Sequence, residues 1–174
     1  MTRSIVWFER EFKFDLPVWM YPNIIERLRG TPARLEDRFG PLSAEALTRR
    51  DGERWLMQEH AGHLLDLEPL EMQRLEDYLA GRETLQAADL QNRRTSEAQY
   101  NSQDITKILR SFRDERLAFV RSLEELDDDF ILRTALHPRL KKPMRVLDLA
   151  FFKAEHDDHH LARISELIGL FARQ

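Results

Sequence analysis

Apolar residues recur at steps of three and four along four long stretches of the chain, the spacing of one face of an α-helix. The first stretch runs from about Pro17 to Phe39, with Ile24, Ile25, Leu28 and Leu35 as its stripe and Pro17 and Pro22 near its start. The "GTP" at Gly30 to Pro32 predicts a bend or a division there, because proline removes a helix donor and threonine can cap a new turn. The second stretch, about Trp55 to Leu79, repeats at Met57, Ala61, Leu64, Met72 and Leu75. Pro69 predicts a kink or a split after Glu68, and Gly81 a terminus. Residues Arg82 to Asn101 are polar and weakly periodic, which reads as a long connection with room for a helical turn. A connection of that length allows a helix order other than simple up-and-down.

The third stretch spans about Ser102 to Leu126, with Ile105, Ile108, Leu109, Phe112, Leu117, Phe119, Val120 and Leu123 on its buried side. Asp127 to Asp129 oppose the dipole at a helix C-terminus and so end it. After the loop "HPRLKKP" the fourth helix is predicted from about Pro143 to Phe171, a rod of about 43 Å. No segment alternates convincingly as a strand. The expected fold is all-α, a four-helix bundle in a single domain over residues 1–174.

One stripe carries chemistry. Leu149, Phe152, His156, His160, Ile164, Leu167 and Phe171 advance by three or four and share one face of the fourth helix. His156 and His160 therefore point inward together, whereas His159 falls with Glu155, Arg163 and Glu166 on a more polar face. An i,i+4 pair of neutral imidazoles supplies two metal ligands at a fixed separation. A catalytic zinc needs at least one more ligand and an open position. The second cluster, "EHAGHLLDLE" at Glu59 to Glu68, offers His60 and His63, and the helical wheel does not separate them. The bland alternative is that these histidines are solvated or hydrogen-bonded. The spacing of "HDDHH" matches the zincin motif, but Asp157 stands where that motif has glutamate, and its shorter side chain reaches a bound water poorly.

Composition narrows the class. Apolar residues make up 42% of the chain and charged residues 33%, which fits long helices with solvated outer faces rather than disorder. The net charge of −4 gives no footprint for nucleic acid. There is no cysteine, so no disulfide forms and any thiol chemistry draws its sulfur from another molecule. No apolar run approaches a membrane span, and Glu9 and Glu11 interrupt any signal-peptide core, so the expected location is cytoplasmic.

The residues Trp55, Glu59, His63, Leu64, Asp66 and Glu68, with the C-terminal "HPRLKKPMRVLDLAFFKAEHDDHHLARI", resemble the DinB-like superfamily of metal-binding enzymes over about Ile24 to Ile168. The resemblance implies an up-down-down-up four-helix bundle, often a homodimer. It also implies a divalent metal, zinc or nickel, held by His63, His156 and His160. His60 and His159 are then supporting or surface groups, and His137 a loop residue. Leu56 departs from the family's serine after the tryptophan, which changes how the second helix starts.

Three imidazoles leave the ion's charge intact, so bound water ionises near a pKa of about 7 and a bound thiol is deprotonated. Members of the superfamily transfer low-molecular-weight thiols such as bacillithiol to electrophiles. The leading expectation is therefore metal-dependent thiol S-transfer on a small-molecule substrate. A hydrolase using metal-bound hydroxide is the alternative, and a non-catalytic, metal-stabilised stress-response or binding module the third. Arg139, Lys141, Lys142 and Arg145 are candidates for holding a carboxylate of the thiol, or are solvated. Glu59, Asp66, Asp157 and Asp158 are the acids nearest in sequence for orienting the histidines. Trp7, Phe8, Trp19 and Tyr21 are expected to be exposed and available to an interface.

Overall fold

The structure, a computed structural model, describes residues 5–171. Its helices are α1 (Tyr21–Phe39), α2 (Ala44–Leu47), α3 (Met57–Asp66), α4 (Glu68–Leu79), α5 (Arg93–Glu97), α6 (Ile105–Glu124) and α7 (Val146–Phe171). Four rods form the bundle: α1, the α3–α4 pair, α6 and α7. Side-chain pairs give their directions. Arg29 meets Glu124 and Arg113 meets Glu36, so α1 and α6 are antiparallel. Arg27 meets Glu155 and Arg38 meets Ser165, so α1 and α7 are parallel. Arg116 meets Glu68 while Gln58 reaches Gln103, which makes α3–α4 parallel to α6. His60 meets His160 and Glu68 meets Lys153, so α3–α4 opposes α7. The order is up-down-down-up, and the 82–101 connection crosses the bundle to achieve it.

Three details differ from expectation. Pro32 neither bends α1 into two helices nor ends it. Without an N–H at Pro32, the Leu28 carbonyl loses its helical donor, and Arg116 Nη1 supplies one at 3.2 Å. Second, a hairpin of β1 (Thr134–His137) and β2 (Lys142–Arg145) precedes α7, so the last helix starts at Val146 rather than Pro143. Asp148 fixes that start by accepting from the Arg145 backbone N–H at 3.0 Å. The strands are four residues each, too short to display alternation over lysines and a proline. Third, Trp7 and Tyr21 are buried in the core, whereas Phe8 and Trp19 are exposed as expected. The predicted break near Pro69 is present: α3 ends at Asp66 and α4 begins at Glu68 with the proline in its first turn. No helix among the described residues is long and apolar enough to cross a membrane.

The apolar core is in two parts, and a polar layer parts them. Leu28, Leu75, Phe119 and Ala154 belong to one part, and Leu35, Leu64, Phe112 and Leu161 to the other. Between them on each rod sit Thr31, Glu68, Arg116 and Asp157, none more than 1% exposed. Arg116 forms paired hydrogen bonds with Glu68 (2.9 and 2.7 Å) and contacts Asp157 through both amino groups. Lys153 lies 3.1 Å from Glu68 and 3.7 Å from Asp157, and Thr31 donates to Asp157 at 2.9 Å. Two cations thus face two carboxylates, and the layer is neutral. Burial alone would raise the Asp157 pKa; Arg116, Lys153 and the hydrogen bonds outweigh it and hold the carboxyl below its ordinary value.

Candidate metal centre

Two rods bring the histidines together. On α7, His156 and His160 stand one turn apart, with ring nitrogens Nε2 to Nε2 at 3.1 Å. On the antiparallel α3, His63 faces both, with ring centroids 5.4 Å from His156 and 4.9 Å from His160. One nitrogen from each of His63, His156 and His160 lies within 4.8 Å of the others, and all three residues are buried. Sequence periodicity thus places the α7 pair correctly, and the triad implied by the resemblance is assembled in space.

Two of the three outward nitrogens are held. His63 Nδ1 lies 3.2 Å from Thr95 Oγ1, and that hydroxyl donates to Asp66 Oδ2 at 2.8 Å. Because the threonine hydrogen is committed to the carboxylate, its oxygen accepts, so His63 carries its proton on Nδ1 and turns a lone pair at Nε2 toward the triad. Asp66 is itself fixed by the Tyr100 hydroxyl at 2.6 Å and by Arg94 at 3.0 Å. Tyr100 packs over Gly62: a Cβ there would meet its ring at 2.2 Å. His160 Nδ1 lies 2.8 Å from His60 Nδ1, so His60 is a support of the triad and not a member. His156 Nδ1 is buried with no hydrogen-bond partner.

Burial pushes the imidazoles toward neutrality. His63 falls to about 3, first through desolvation and then through Lys153 and His60. His156 and His160 fall well below the ordinary value for the same leading reason. Neutral imidazole is the form that ligates a metal. Two nitrogens on one tetrahedral zinc at about 2.0–2.1 Å lie roughly 3.3 Å apart, close to the 3.1 Å of the α7 pair. The donor set, its protonation and the close Nε2 pair of α7 fit a divalent ion.

The other acids named from sequence serve elsewhere. Glu59 accepts from the Leu56 backbone N–H at 2.8 Å, which fixes the start of α3 although no serine hydroxyl caps it. Asp157 belongs to the polar layer, and Asp158 pairs with Arg27 and Arg34. Thr95 and Arg116 were not legible as functional or structural anchors. Thr95 lies in the featureless connection. Arg116 did leave a trace, as a charge one turn from Phe112 on the buried stripe.

The triad opens on a cavity of about 760 Å³. Trp55 and Trp7 wall it, at 4.7 Å from the His63 ring and 4.8 Å from the His156 ring. His159, half-buried, also lines it, as does His137, which is not a loop residue but the buried end of β1.

The DinB superfamily model matches residues 27–164. The chain belongs to the DinB superfamily. The structure of this DinB-superfamily chain is similar to that of YfiT from Bacillus subtilis, described as "a probable metal-dependent hydrolase with an unusual four-helix bundle topology", with a TM-score of 0.81, 21% identity and 94% of each chain covered. That likeness is one of fold. No curated protein matches the chain.

Proposed function

We propose that the protein is a divalent-metal-dependent hydrolase, with His63, His156 and His160 as ligands. The observation that carries the reading is the convergence of three neutral, buried imidazoles at the wall of a cavity large enough for an organic substrate. The structural neighbour's description as a metal-dependent hydrolase supports it. The chemistry supplied there by a divalent ion, zinc or nickel, is Lewis acidity: it ionises a nucleophile near neutral pH and polarises a carbonyl.

The chain's own residues set up that chemistry. Asp66, through Thr95, keeps the His63 lone pair aimed inward, and His60 holds the orientation of the His160 ring. Trp7 and Trp55 give the cavity an aromatic wall beside the triad. His159 lines the same cavity, its ring 5.4 Å from that of His160, and is our candidate to accept the nucleophile's proton. Burial, then Arg10 and Arg163, hold its pKa below the ordinary value, so it is neutral at pH 7.

Thiol transfer is the second reading, and one observation favours it. Asp66, Glu68 and Asp157 are each committed to a hydroxyl or a cation, so none of these three is free to act as general base. A thiol needs none, since it ionises on the ion directly. Zinc- and nickel-loaded protein is to be assayed against a panel of nitrophenyl esters, and against chlorodinitrobenzene with several thiols. Metal-dependent ester cleavage without thiol supports hydrolysis. Conjugation that requires thiol supports transfer. Metal-dependent stabilisation with neither reaction reduces the site to a structural one.

A further inference from the structure

The cavity has a second polar wall, away from the triad. Each cation lining it has a carboxylate partner, with one exception among the described residues. Arg74 pairs with Glu71, Arg163 with Glu166, Arg54 with Asp51 and Lys153 with Glu68. Arg139 has no carboxylate. Its guanidinium lies over the rings of Phe8 (5.2 Å) and Phe152 (5.6 Å), and its Nη2 is buried without a hydrogen-bond partner.

A second donor beside it is also unused. The His137 side chain is 2% exposed. Its Nδ1 accepts from the Leu140 backbone N–H at 3.2 Å, so the ring's proton is on Nε2. That Nε2 is buried with no acceptor. The two groups are neighbours: His137 packs against the same Phe152 ring at 5.3 Å, and Arg139 is close enough to help disfavour a charge on His137. An unpaired guanidinium and an unpaired imidazole N–H beside the Phe152 ring, with the Arg74 charge near enough to act on both, each cost stability. A carboxylate satisfies both at once, since its two oxygens accept from a guanidinium and a neighbouring donor together.

We propose that Arg139 and His137 form a carboxylate-binding subsite, and that the substrate is a small organic acid whose reactive group lies at the histidine triad. Phe152 and His156 are four residues apart on α7, about 6 Å of helix rise, and the wall between them is aromatic. The ligand therefore has an apolar spacer between its acid and its reactive end. The assignment of that reactive end rests on the metal-site reading above; the acid subsite does not.

The probes are 4-phenylbutyrate, its alcohol 4-phenylbutanol and 3-phenylpropyl phosphate, titrated calorimetrically into metal-loaded protein. Wild type is expected to bind the acid roughly tenfold or more tightly than the alcohol. Arg139→Gln abolishes that preference and Arg139→Lys keeps part of it. His156→Ala, which lacks a triad member and is titrated without metal, retains it. His137→Phe removes the second donor while keeping the packing on Phe152, and serves where Arg139→Gln does not fold. Equal affinity of acid and alcohol overturns the subsite, and tighter binding of the phosphate overturns the choice of carboxylate. A preference lost in His156→Ala but kept in Arg139→Gln places the acid at the triad: the subsite fails and the metal reading stands. A preference that depends on Arg139 in a wild type that binds no metal has the opposite meaning.

Discussion

Two clusters of buried polar groups share the middle of α7, and they differ in how their atoms are used. In the polar layer, Glu68, Asp157, Arg116 and Thr31 bond to one another across all four rods. In the histidine cluster the outward nitrogens of His63 and His160 are engaged, that of His156 has no partner, and the Nε2 atoms of His156 and His160 face each other at 3.1 Å. Burial of polar groups is common to both. The layer balances its charges within the chain, Lys153 Nζ by ion pairs alone, whereas the histidine cluster gathers ring nitrogens toward one another, an arrangement that the proposed function assigns to an ion.

That contrast predicts opposite responses to substitution. Arg116→Ala leaves Glu68 and Asp157 buried with only Lys153 to offset them, and the expected loss is about 3–5 kcal/mol in urea unfolding. A loss below about 1 kcal/mol would mean that water reaches the layer and that it does not hold the rods. His156→Ala is expected to leave helical content unchanged by circular dichroism but to eliminate stoichiometric metal binding in equilibrium dialysis. The wild type should gain about 2.7 kcal/mol at a metal concentration 100-fold above Kd, and the variant nothing. Retention of a full metal equivalent would count against the triad.

Asp66→Asn probes a group that touches neither ion nor substrate. It disturbs the hydrogen bond that holds Thr95 and hence His63. The expected result is a 10- to 100-fold weaker metal affinity with the fold retained. An unchanged affinity would show that His63 needs no such support.

Acid separates the two clusters more gently. Burial, then Arg74 and Arg139, lower His137 from 6.5 to about 3. Between those values the unfolded chain binds a proton that the folded chain refuses, so stability falls as pH falls. The slope is up to about 1.4 kcal/mol per pH unit for each such histidine. Asp157, held below its ordinary carboxylate value, contributes stability that is lost only at lower pH. Urea midpoints of metal-free protein at pH 7 and pH 5 should therefore differ, and by less in His137→Gln than in wild type.

The stripe from Leu149 to Phe171 made α7 and its inward histidines readable from spacing alone, because a helix repeats its environment every three or four residues. His63 over His60 was not readable that way, since the two share much of one face, and it took the family resemblance to choose. The hairpin left no periodic trace in four-residue strands. Thr95 left none either: its role comes from where a long connection lands on α3, which is a matter of tertiary contact. Pro32 misled for an instructive reason. Its cost to α1 is local, but the donor that compensates comes from α6, 84 positions along the chain, as Arg116 reaching the Leu28 carbonyl.

Position 62 carries no side chain because an aromatic ring occupies the space one would fill. A single methyl group added there would push on Tyr100, and through it on the carboxylate and hydroxyl that orient the His63 ring. On the metal-site proposal, affinity at the centre is thus adjustable from Gly62, a residue outside the cavity lining.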